Sequence, residues 1–200
     1  MLAAAAAQPD RLVIGVDASA AAMAEASRRA ARKPGRGGLP NALFVMAAAE
    51  SLPKELDGLA DLLIVNFPWG SLLRGLLEAD PAVMTGLTRV MRPGAVLAVL
   101  LSSIDRDRGA GVDPIEESTL KAVVDAYRRY ELDVTDLRPA TAADVAAAHS
   151  TWGKRLGAGR QRPAWRIEAT LASAPPGRTG AVGASGRDGL AGCSPGCGHR

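Results

Sequence analysis

Histidine, cysteine and aromatic side chains are scarce in this chain. Its 200 residues include two histidines, two cysteines and only 4% aromatics. Both cysteines, Cys193 and Cys197, lie close to the C-terminus. No disulfide framework can organise the fold from there, and a reducing cytoplasm is the natural compartment. With His199 they spell Cys-x3-Cys-x-His, at most three ligands in a Gly/Pro/Ser segment. That pattern reads as a tail rather than a metal site. No apolar run reaches the ~20 residues that cross a bilayer, so no membrane partner is expected. The start, Met1-Leu2 and five alanines, lacks the basic segment of a signal peptide and suits the end of a helix that turns over at Gln8-Pro9-Asp10. A net charge of +3 permits a polyanionic partner without specifying one. No glycine fingerprint precedes the first visible strand, which argues against a dinucleotide-dependent oxidoreductase.

What is present alternates between two kinds of segment. Arg11 to Asp17, Asn41 to Met46, Ala60 to Val65 and Ala95 to Leu101 are short apolar runs that read as strands. Between them lie helical stretches: Ala18 to Arg32 with Ser19 as a candidate cap, Leu72 to Leu77, and Pro81 to Met91. Arg92-Pro93-Gly94 reads as a tight turn into the fourth strand. Further on, Ile115 to Tyr130 carries Leu120, Val123, Val124 and Tyr127 at helical spacing, and Leu132 to Arg138 is extended. Ala140 to Ala148 is a helix with Thr141 and Asp144 at capping distance, and Ala164 to Leu171 alternates like an antiparallel strand. The expected architecture is α/β, a doubly wound and mostly parallel sheet over residues 1–172, with the late antiparallel strand at its edge. Residues 173–200 have almost no large apolar side chains, and disorder is expected there.

In such sheets ligands sit at the carboxyl ends of the strands. Asp17 closes the first strand, where a carboxylate has two acceptor oxygens for the hydroxyls of a ribose; it equally suits the acid that complements a helix dipole. Ala49-Glu50 follows the second strand, a small residue and an acid that would suit an adenine ring against backbone or simply a solvent loop. Asn66-Phe67-Pro68-Trp69 follows the third. Proline stiffens that turn. A rigid turn bearing an indole is a floor for a flat base, unless Trp69 merely caps the core.

The runs KPGRGGLPNALFVMAAAESLP and FPWGSLLRGLL, with the later STWGKRL and Arg160 and Arg162, resemble the 16S rRNA adenine-N1 methyltransferases of aminoglycoside resistance. That family, of kanamycin–apramycin type, methylates adenine 1408. The resemblance spans residues 9 to 172. It implies a class I fold using S-adenosyl-L-methionine, with no metal, and an rRNA partner in the 30S subunit. It places Asp17 at the cofactor ribose, Ala49 and Glu50 beside the cofactor adenine, and Asn66 on the cofactor side. Trp69, shaped by Pro68, and Trp152, supported by Thr151, would clasp a flipped adenine. Lys154, Arg155, Arg160 and Arg162 would grip rRNA phosphates. A monomer in the cytoplasm follows.

The family's opening strand and glycine-rich cofactor loop have no counterpart ahead of Arg11, where only Met1 to Asp10 stand. Either a start placed late in a longer reading frame or a decayed copy would account for this, and the well-patterned remainder favours the late start. An open place in the centre of the sheet, unpaired backbone there, and lower stability than a full-length relative are expected. Two other functions are weighed. A tRNA (guanine-N7) methyltransferase also follows a strand with an NFP-type turn, but usually continues with further Pro and Lys. A catalytically inactive RNA-binding remnant would rely on the basic segment Lys154 to Arg166 with Trp152 and Trp165 interleaved.

Overall fold

The computed structural model describes residues 1–104, 107, 114–150 and 162–173. Six helices and six strands follow one another as α1 (Leu2–Ala7), β1 (Val13–Asp17), α2 (Ala20–Ala30), β2 (Ala42–Met46), β3 (Ala60–Asn66), α3 (Gly70–Leu77), α4 (Pro81–Val90), β4 (Met91–Leu101), α5 (Glu117–Arg128), β5 (Leu132–Pro139), α6 (Ala142–Ala147) and β6 (Trp165–Leu171). Local chemistry fixes the helix starts. The Ser19 hydroxyl accepts from the Ala22 amide ahead of α2. Asp80 accepts from Ala82 and Val83, with Pro81 in the first turn of α4. Thr141 and Asp144 form a reciprocal capping box on α6.

The strands form two sheets. β1 and β2 pair in parallel, and a second sheet has the order β3-β4-β6-β5. β3 and β4 are parallel, while β6 runs antiparallel to both β4 and β5. The late strand therefore lies inside the sheet and β5 forms the edge, a correction to the sequence expectation. Alternation along Trp165–Leu171 identifies a two-faced strand, but period 2 carries no information on how many neighbours it has. Arg92-Pro93-Gly94 is also not a turn ahead of a strand. Met91 pairs with Ala60 and the ladder resumes at Val96 opposite Leu62, so residues 92–95 bulge out of one continuous strand, with Gly94 at φ 80°.

One face of the larger sheet carries the main core. Leu97, Val99 and Leu101 of β4 and Ile167 of β6 pack against Leu73 and Leu76 of α3, Met84 and Leu87 of α4, and Leu120, Val123 and Tyr127 of α5. On the opposite face Leu100 joins Phe67, Ala164 and, from α6, Val145. A separate cluster of Ala5, Ala30 and Ala42 with Met1, Leu2 and Phe44 covers the β1–β2 sheet. There Asn41 Nδ2 reaches the carbonyls of Ala5, Gln8 and Arg11, fixing the end of α1.

Among the described residues β1 pairs only with β2, and β3 only with β4. Each keeps one edge without a strand partner, and Leu12, Val16, Leu62 and Ile64 are all exposed. This is the open place expected in the sheet.

Two groups give tests of stability. Tyr127 is fully buried and its hydroxyl has no partner among the described residues. Burial pushes its pKa upward. An orphaned buried hydroxyl costs about 1–3 kcal/mol, and removing it restores part of that. Tyr127→Phe is expected to raise the urea midpoint, a gain of about 1 kcal/mol, at an unchanged m-value. A clear loss of stability would mean that the hydroxyl is bonded.

Asp144 lies at the meeting point of β5, β6 and α6. Arg138 Nη1 and Nη2 donate to its two oxygens at 2.7 and 3.1 Å, and the Thr141 hydroxyl and amide each donate at 2.7 Å. The bonds from Arg138 first, then those from Thr141, hold its carboxyl well below the usual range. The unfolded chain binds that proton near pH ~4. The stabilisation from Asp144 is therefore complete above that pH and is lost as pH falls toward the depressed native value. Asp144→Asn is expected to flatten the stability profile below pH ~4, checked by urea melts across that range. An unchanged acid limb would assign it to other carboxylates.

Candidate functional site

Most of the sequence-predicted residues that are described stand at or just after the ends of the parallel strands of the two sheets. Asp17 is the last residue of β1 and pairs in register with Met46, the last of β2. One oxygen of Asp17 accepts from the Ser19 amide at 2.7 Å, which aims the carboxylate across the start of α2. The Ala47 amide donates to the Asp17 carbonyl at 3.2 Å, so the turn that follows β2 begins directly beside it. That turn carries Ala49 and Glu50 in a single 3-10 turn, Ala49–Ser51, with Glu50 exposed. Asn66 ends β3 and pairs with Leu100 of β4. Asp17 and Asn66 thus close β1 and β3, and Ala49 and Glu50 lie in the turn that follows β2.

The Asn66–Gly70 turn has a shape the sequence only hints at. Phe67 adopts φ 52°, a left-handed conformation that a bulky residue avoids. It is held there because its amide donates to the Leu100 carbonyl at 2.8 Å and its ring is buried. Such strain persists only where the surroundings over-determine it, and it concentrates at functional sites. Pro68 is buried behind it, and Gly70 at φ 60° opens α3. The indole of Trp69 is carried outward, 36% exposed, at the N-cap of α3. It does not cap the core.

The Arg162 guanidinium lies over that indole, 5.9 Å from the ring centroid, within range of a cation–π contact. Arg162 is buried at 7% exposure and forms an ion pair with the buried Asp107. Its Nε also donates to the Ser102 hydroxyl at 2.9 Å, and that hydroxyl donates to the Pro163 carbonyl at 2.7 Å. Arg162 thus stands against the residue that the Asn66–Gly70 turn carries to the rim. Asp107 and Ser102 were missed by sequence reasoning; the only available signal was the Ser102-Ser103 pair following β4. Thr151, Trp152, Lys154, Arg155 and Arg160 lie outside the described residues, as do Cys193, Cys197 and His199. No metal-binding cluster occurs among the described residues, and no helix there is long and apolar enough to cross a membrane.

The model of the NpmA family, 16S rRNA (adenine(1408)-N(1))-methyltransferase, matches residues 1–171. The chain belongs to this family. Its sequence is 37% identical over 159 residues to a 16S rRNA (adenine(1408)-N(1))-methyltransferase of Streptoalloteichus hindustanus, covering 77% of this chain and 73% of that one. An Escherichia coli protein of the same description is 29% identical over 164 residues, covering 77% and 74%. Among solved structures, an alanine mutant of the Catenulisporales acidiphilia enzyme with the cosubstrate SAM superposes with a TM-score of 0.77 at 32% identity, covering 86% of this chain and 80% of that one. The aminoglycoside resistance methyltransferase NpmB1 gives 0.72 at 38% identity, covering 86% and 81%. Within the family, S-adenosylmethionine is the cofactor that the site must suit. An exposed carboxylate at the end of β1 and a small-residue turn beside it fit the nucleoside half of that molecule. The described residues offer no glycine-rich cradle for its methionine half.

Proposed function

We propose that this chain is an S-adenosylmethionine-dependent methyltransferase acting on N1 of adenine 1408 in 16S rRNA, the modification that confers aminoglycoside resistance. It works on the 30S subunit, as a monomer in the cytoplasm, through a methyltransferase domain over residues 1–172 that precedes a tail. The observation that carries the reading is the strained turn at Phe67, which puts the Trp69 indole at the rim beside the strand ends that would take the cofactor.

When bound, S-adenosylmethionine supplies a methyl group already activated on a sulfonium. Adenine N1 carries an in-plane lone pair and needs no general base. The work left to the chain is alignment and exclusion of water. The Asp17 carboxylate accepts from ribose hydroxyls, and the Ala49–Glu50 turn flanks the adenine of the cofactor. Trp69 stacks on the flipped base and keeps its ring in plane, with Pro68 stiffening the turn beneath. Trp152 and Thr151 complete the clasp, and Lys154, Arg155 and Arg160 hold rRNA phosphates.

Primer extension across adenine 1408, after expression in a sensitive host, tests the proposal. A stop at that nucleotide supports it. A tRNA carrying N7-methylguanine and no stop would overturn it in favour of the tRNA enzyme. Salt-sensitive binding to 30S subunits without methyl transfer would overturn it in favour of a non-catalytic RNA-binding chain.

A further inference from the structure

The two sheets share no ladder, so something else must set the Ala49–Glu50 turn, which belongs to β2, against the body that carries Trp69. Helix α4 makes that connection. Its Val83, Met84 and Leu87 are buried in the main core, which ties the helix to β3 and β4. Its other side meets the segment after β2 backbone to backbone. A Cβ on Gly86 would stand 1.9 Å from the Ala49 carbonyl oxygen and 3.0 Å from its carbon. Only glycine permits that approach. One turn later Arg89 extends the grip. Its Nη2 donates to the Leu52 carbonyl at 2.6 Å, its Nη1 pairs with Asp57, and its own carbonyl accepts from the Gly58 amide at 3.0 Å. The guanidinium fork serves a carbonyl and a carboxylate at once, which an ammonium does less well.

We propose that Gly86 and Arg89 are positioning residues of α4 that fix the Ala49–Glu50 turn at the depth required by the cofactor adenine. This rests on the reading above that the turn flanks the cofactor. Neither residue touches the cofactor itself; they act through the turn.

The test uses the full 200-residue chain. S-adenosylhomocysteine binding is measured by calorimetry, and amide hydrogen exchange is followed over residues 47–58 of the same samples. Gly86→Ala and Arg89→Ala are each expected to weaken binding by about tenfold or more, because a displacement near 1 Å at an aligned site has effects of that order. Both should speed exchange in the turn, and Arg89→Lys should recover part of each loss. In methylation assays the donor KM should rise while kcat at saturating donor holds. Should Gly86→Ala fail to fold, Arg89→Ala, at a partly exposed side chain, carries the test. Unchanged affinity despite faster exchange overturns the proposal, as does unchanged exchange. A parent chain that binds no S-adenosylhomocysteine overturns the cofactor reading instead, and the exchange data then decide the anchoring alone.

Discussion

Trp69→Ala is expected to lower methylation of adenine 1408 by about 5- to 150-fold, the kinetic equivalent of the ~1–3 kcal/mol that stacking a base on an aromatic ring contributes. The indole is 36% exposed at the N-cap of α3, so truncation leaves no cavity in the core, and loss of the contact to Arg162 should lower stability by only about 0.5–2 kcal/mol. Binding of S-adenosylhomocysteine should be unchanged, because Asp17 and the Ala49–Glu50 turn stand at other strand ends. Trp69→Phe keeps a π-face and should retain much of the rate. The measurement is transfer of labelled methyl to purified 30S subunits, with affinity followed separately. A Trp69→Ala chain that methylates at the parental rate would show that the base is held elsewhere. The same substitution at Trp152 is expected to behave alike.

Asp107→Ala should produce the largest loss of stability. It strips the buried Arg162 of its buried carboxylate, and removing one partner of such a pair costs about 3–5 kcal/mol. For a chain of this size that corresponds to roughly 10 °C or more in Tm. The paired change of Arg162→Met with Asp107→Leu, which removes both charges, should recover most of it. Thermal melts of the single and double variants decide this. Equal destabilisation in both would assign the loss to packing rather than to a stranded cation. Since Arg162 also lies over the Trp69 ring, the double variant should methylate more slowly than its stability alone accounts for.

These two residues also mark where the sequence was legible and where it was not. The exposed place of Trp69 after β3 was legible because its surroundings are local: a strand, a proline and an indole close together in sequence. The same holds for the Thr141–Asp144 cap, for α2, and for the strands that end at Asp17 and Met46, each fixed within a few residues. The burial of Arg162 was not legible, because a basic residue in a basic stretch looks exposed. The partner that neutralises it is 55 positions away. Gly86 was invisible for the same reason. A glycine in a helix signals only a lower helix propensity, while its use here depends on a carbonyl from another sheet. The interior position of β6 is likewise a property of pairing, and Trp165–Leu171 spells its two faces but not its neighbours. The left-handed Phe67 reverses the usual inference, since its side chain gives no hint of that backbone; the constraint comes from Leu100.

The bare rims of β1 and β3 bear on how the molecule behaves in a tube. Each presents a row of amides and carbonyls bordered by Leu12 and Val16 or by Leu62 and Ile64. Hydrogen-bonding groups that find no strand partner among the described residues can find one in another copy, so crowding should turn a clear sample cloudy. Such association would withdraw the working monomer, and a scattering signal that climbs steeply with protein concentration is its signature.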